Sequence, residues 1–136
     1  MKLALVQFNI SPDDVEENID SALEGIRRAA RSGADLVALP EIFSIGFFNF
    51  DAYAERAEPI GGPTHQRIST AARDNDIHVL AGTIVEDLSA SASRGIDVPE
   101  PVGLSNTAVL FDESGERRLI YRKHHLWATS HESRSS

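Results

Sequence analysis

The chain has 136 residues and no cysteine, and its 21 acidic against 13 basic side chains leave a formal charge of −8. That length, with 41% apolar residues, suits one domain, or part of a larger one, with a buried core. The acidic balance argues against nucleic acid or an anionic membrane as a partner, because such surfaces need clustered Lys and Arg, and leaves small molecules or proteins. Lack of cysteine excludes disulfides, thiolate metal sites and cysteine nucleophiles within these residues. The opening MKLALVQFNISP has one basic residue and an apolar stretch too short for a signal peptide or a membrane span, so a cytoplasmic location is expected.

LALVQFN, residues 3 to 9, reads as a first strand. Ser11 is the expected N-cap of the helix that follows, with Pro12 at its first position and Asp13 and Asp14 at the positive end of the dipole. Val15, Ile19, Ala22, Leu23, Ile26, Ala29 and Ala30 recur at three- and four-residue spacings and form one apolar stripe, and Gly33 ends the helix. Residues 35 to 43, DLVALPEIF, begin as a strand buried on both faces, so the first forty residues make a right-handed βαβ unit with a parallel pair.

An aromatic-rich loop, IFSIGFFNFDAY, comes next, and then a second helix capped by Thr64 that turns Ile68, Ala71 and Ala72 inward. IHVLAGTIVE, residues 77 to 86, is one apolar strand. Residues 87 to 103 are rich in Ser, Ala, Gly and Pro and read as a mobile surface loop. NTAVLFD and RRLIYRK flank DESGE, which predicts an antiparallel hairpin. Residues after Trp127 carry no apolar pattern, so 128–136 is expected to be a disordered tail. The predicted order is β-α-β-α-β-β, an α/β layered fold.

Glu41 stands at the C-terminal end of a parallel strand, where open α/β sheets place their ligand crevices; alternatively it is a solvent-facing loop carboxylate. Lys123 closes the last strand and could equally be a charge that blunts a sheet edge. The neighbouring His124 and His125 point to opposite faces of an extended chain, which is poor geometry for chelating one ion, so no metal site is expected.

Taken together, DLVALPEIF with its aromatic loop and NTAVLFDESGERRLIYRKHHLW resemble the N-terminal half of the nitrilase superfamily of carbon–nitrogen hydrolases. KLALVQFN, the first helix and the GGPT start of the second helix fit the same pattern, so residues 1–127 read as the N-terminal portion of such a domain. The resemblance implies an α-β-β-α sandwich, of which this part is a mixed sheet with helices on one face. It also implies hydrolysis of non-peptide C–N bonds in a small amide, nitrile or carbamoyl substrate by a Glu-Lys-Cys site without a cofactor. By position Glu41 would be the general base, its pKa raised in a closed pocket, and Lys123 the cation that stabilises the oxyanion. Phe47 and Phe48 would line the acyl side of the substrate pocket, or serve as core anchors.

In the family the nucleophilic cysteine lies beyond this region. Ser130, Ser133, Ser135 and Ser136 are poor substitutes, being outside any strand-to-helix turn and slow to ionise. The expectation is therefore a truncated chain inactive alone, or one half of a two-chain enzyme; the alternative is a non-catalytic α/β binding or assembly module. An uncovered sheet face would favour homo-oligomers or pairing with a C-terminal half.

Overall fold

The computed structural model describes residues 1–46, 48–100 and 102–123. Six strands form one mixed sheet: β1 (Leu3–Leu5), β2 (Leu36–Ala38), β3 (His78–Leu80), β4 (Ile84–Asp87), β5 (Leu104–Phe111) and β6 (Arg117–Arg122). β1, β2 and β3 are parallel neighbours joined through α1 (Val15–Arg31) and, after the short α2 (Tyr53–Arg56), through α3 (Pro63–Asp74), as the βαβ pattern predicts. β5 runs antiparallel to β3, β4 and β6. The hairpin predicted at its end closes through Asp112, whose Oδ1 accepts from Ser114 N, Ser114 Oγ and Glu116 N.

The apolar stripe of α1 does what its spacing requires. Ile19, Ala22, Ile26 and Ala29 are buried with Ile68 and Ala72 of α3 against Val37, Val79, Val109 and Phe111 of the sheet. Both helices thus cover one sheet face. By strand alternation the other face carries Leu5, Ala38, Leu80, Leu110 and Leu119, in register across β1, β2, β3, β5 and β6. Leu3, Leu5, Leu119 and Tyr121 are exposed on it.

Several local expectations change. Asp14, not Ser11, caps α1: its carboxylate accepts from Glu17 N at 3.0 Å, while Ser11 N donates to the buried Asn18. Gly33, at φ +87, follows the helix end as predicted. Gly62 is the N-cap of α3, and Thr64 inside its first turn donates through N and Oγ1 to the Glu58 carboxylate. Residues 87–103 contain a short helix, α4 (Leu88–Ser93), because Asp87 Oδ1 caps Ala90 N and Ser91 is drawn into the interior. The strand expected over 77–86 divides into β3 and β4, both along β5, with Ala81, Gly82 and Thr83 between them.

That division has a steric cause. A Cβ on Gly82, at φ +36, would stand 2.0 Å from the carbonyl oxygen of Pro40, so only glycine lets the β3–β4 junction pass beneath the segment leaving β2. Thr83 Oγ1 then accepts from Ile42 N at 2.8 Å and ties that segment down.

Candidate active site

Three chain directions converge at one sheet edge. β2 and β6 both end there, and β5 begins there, since β5 is antiparallel to β3 and to β6 while β2 is parallel to β3. Glu41 follows β2, Lys123 follows β6, and Asn106 lies in the first turn of the ladder on β5.

Glu41 is held by its neighbours on both sides. Before it, Leu39 N donates to Leu80 O at 3.0 Å; after it, Ile42 adopts φ +46 and is almost fully buried. A β-branched residue in the left-handed region costs about 1–3 kcal/mol, which the packing of Ile42 with Ile45, Tyr53 and Val85 offsets. Here the backbone turns sharply to leave the sheet and aim the carboxylate back at it.

Lys123 Nζ donates to Glu41 Oε1 across 82 positions of sequence, forming an ion pair whose side chains are 42% and 40% exposed. Asn106 Nδ2 donates to the same Oε1 at 2.7 Å, and the backbone O of Asn106 accepts from Lys123 N at 3.2 Å. The two residues nominated from the sequence are therefore brought into direct contact.

The expected raised pKa is not found. Partial burial pushes the Glu41 carboxyl up, but the hydrogen bonds from Lys123 and Asn106 and the lysine charge outweigh it, and the net shift is downward. The physical reason is that desolvation, although the largest single effect, is only partial in a carboxylate still 40% exposed, and two donors and a cation acting together exceed it. Desolvation and the Glu41 charge push the nearby Tyr53 phenol up to about 12, so it stays protonated.

Phe47, His124, His125, Trp127 and the tail serines lie outside the described residues. Phe48 is 81% exposed and meets Phe50 edge to face at 6.3 Å. A groove of about 680 Å³ lies between α1 and α3, lined by Leu23, Arg27, Arg67 and Thr70 among others; it contains neither Glu41 nor Lys123. Among the described residues no cluster of three His, Asp or Glu is arranged to hold a metal ion, and no helix is long and apolar enough to cross a membrane.

Behind the site, on the helix-covered face, sits a second carboxylate that sequence reasoning missed. Glu86 is fully buried and accepts from Arg122 Nε and Nη2, Ser91 Oγ and Thr107 Oγ1 at 2.6–3.0 Å. Burial alone would raise its pKa, but these donors and the Arg122 charge hold it below the usual range. Its signal was available: IHVLAGTIVE ends in a carboxylate just as DLVALPE does. Asn106 was hidden, because the hairpin closed by DESGE carries a register shift between Leu110 and Phe111, and it is that shift which sets residue 107 opposite 122 and so brings 106 beside 123.

Comparison with known proteins identifies the family and the fold. The sequence profile described as Carbon-nitrogen hydrolase matches residues 2–136. The Omega-amidase NIT2 of Xenopus tropicalis is 34% identical over 126 residues, covering 93% of this chain and 41% of that protein. The Hydrolase C26A3.11 of Schizosaccharomyces pombe is 32% identical over 130 residues, covering 93% and 35%. Among solved structures, an amidase from Nesterenkonia sp. superposes with a TM-score of 0.71 at 29% identity, over 93% of this chain and 44% of that one. The chain thus spans about two fifths of the length of the curated relatives it matches.

Proposed function

Since this chain belongs to the carbon–nitrogen hydrolase family, we propose that it supplies the base and the cation of a Glu-Lys-Cys site for hydrolysing a small amide or related C–N substrate. The nucleophile would come from a polypeptide segment outside these residues. The observation that carries this reading is the ion pair between Glu41 and Lys123, formed at one sheet edge by residues 82 positions apart.

The chemistry follows from the arrangement. Glu41, ionised at neutral pH, takes the proton of a thiol brought to the open side of the site, and the thiolate attacks the substrate carbon. Negative charge gathering on the substrate oxygen is stabilised by Lys123. Glu41 then returns the proton to the leaving amine, so that ammonia departs and a thioester remains. Water attacks that thioester with Glu41 again as base, which releases the acid and restores the thiol. A structure of the Nesterenkonia sp. AN1 amidase records Michael addition of acrylamide at an active-site cysteine, consistent with a thiol nucleophile in that relative.

The row Leu5, Ala38, Leu80, Leu110 and Leu119 gives this scheme its second component. A second sheet packed on it would complete an α-β-β-α sandwich, exclude water beside Glu41 and strengthen the lysine's effect on the oxyanion. Covering the site would also raise the Glu41 pKa from its depressed value, making it a stronger base.

The test is reconstitution. Co-expression with a portion of the Nesterenkonia sp. AN1 amidase that carries its active-site cysteine is expected to yield ammonia release from small aliphatic amides that Glu41→Gln and Lys123→Ala each abolish. Release unaffected by both substitutions would refute the assignment. The lack of cysteine favours a second reading, a non-catalytic assembly module. In that case partner binding would survive both substitutions while no hydrolysis appeared.

A further inference from the structure

We propose that Asn106 is a positioning residue for Glu41, loading Oε1 so that Oε2 is the atom that takes the proton. This rests on the base-and-cation reading above and adds a residue to it.

The carboxylate is used unevenly. Oε1 receives both Lys123 Nζ and Asn106 Nδ2, whereas Oε2 has no hydrogen bond among the described residues. Two donors on one oxygen draw negative charge to it and fix the plane of the group. The other oxygen belongs to a side chain that is 40% exposed and is left to solvent, open to an incoming proton donor.

Asn106 holds this orientation at a cost. Its residue is 8% exposed, and its Oδ1 is buried with no partner among the described residues. An orphaned buried acceptor costs about 1–3 kcal/mol. Turning the amide over would not help, because Oδ1 would then face the carboxylate, which has only acceptors at this pH. The arrangement persists because a charge-assisted bond from Nδ2 is worth more than a satisfied carbonyl.

The backbone makes Asn106 rigid enough for the task. β5 is paired on both sides at this level, with Val85 of β4 opposite Asn106 and Thr107 opposite Arg122 of β6. Lys123 N also donates to Asn106 O, so the amide and the lysine keep a fixed spacing.

The experiment reads the Glu41 titration directly in the 136-residue chain. Carboxyl resonances of ¹³C-glutamate would be followed by NMR from pH 7 to pH 2.5, with Glu41 assigned through Glu41→Gln. The chain has only two lysines, Lys2 and Lys123, so ¹³Cε-lysine gives a second view of the pair, assigned through Lys2→Arg. Asn106→Ala and Asn106→Val are expected to raise the Glu41 midpoint by about half a unit to one unit, the scale of one hydrogen bond to a partly exposed charge. Valine suits a strand and serves if alanine loosens β5. An unchanged midpoint in either folded variant overturns the proposal, since a purely structural asparagine would leave that titration alone. Lys123→Met distinguishes the underlying reading: if it too leaves the midpoint unchanged, the base-and-cation pair itself fails, whatever Asn106 does.

Discussion

Replacing Glu86 by alanine removes the counter-charge of a guanidinium that is itself only 17% exposed, at a position where the carboxylate is 0% exposed. Two bonds from Arg122 and one each from Ser91 and Thr107 lose their acceptor at once. Breaking a buried ion pair by removing one partner costs about 3–5 kcal/mol, because the other charge stays buried without compensation. The hydroxyls add less, since Thr107 Oγ1 can turn to Ser105 Oγ at 3.0 Å and Ser91 Oγ still accepts from Ile60 N. A loss of about 4 kcal/mol is therefore expected, a large fraction of the roughly 5–15 kcal/mol that holds a domain folded. The double variant Glu86→Leu with Arg122→Met removes both charges while keeping volume, and should stay within about 2 kcal/mol of the parent or exceed it. Urea unfolding followed by far-UV circular dichroism measures both. A cost below about 1 kcal/mol for Glu86→Ala, or a double variant no better than the single one, would refute the reasoning.

Gly82→Ala should destabilise the chain by about 2–4 kcal/mol, combining left-handed strain with the clash against Pro40 O, and urea midpoints check it. Asp14→Ala should cost about 1 kcal/mol through the lost cap, whereas Ser11→Ala should cost less in the same assay. Acid stability should show two windows. His65 is buried and its Nδ1 accepts from Gly61 N, so desolvation lowers its pKa to about 4; protonation favours the unfolded chain, and stability falls as pH drops from about 6.5 toward 4. Glu86 is depressed instead, so its contribution is full above about pH 4.5 and is lost only below that. Urea midpoints against pH should therefore lose the upper window in His65→Phe, and an unaltered slope there would count against it. Leu119→Lys, on the exposed apolar row, should weaken concentration-dependent self-association in sedimentation velocity, and a parent chain that is a sharp monomer at all concentrations would contradict it.

Fold elements were readable wherever period or turn chemistry acts alone. The stripe of α1 and the DESGE hairpin need only neighbours within a few residues, and both appear as expected. What the sequence hid were effects of distant contact. Thr64 has the side chain of a cap, but Glu58 takes its hydrogen bonds, and the strand over 77–86 breaks because Pro40 lies across Gly82. For the site, Glu41 and Lys123 could be named from position and resemblance. Their pairing on a single oxygen, the share taken by Asn106 and the lowered pKa depend on three strand ends meeting, which no local pattern encodes.

The most direct test of a base and cation held without their nucleophile is ammonia release from small amides by the purified 136-residue chain, assayed beside Glu41→Gln. No release above the buffer blank is expected from either protein. Turnover that persists through purification and disappears in Glu41→Gln would contradict this, since it would place a working nucleophile within these residues.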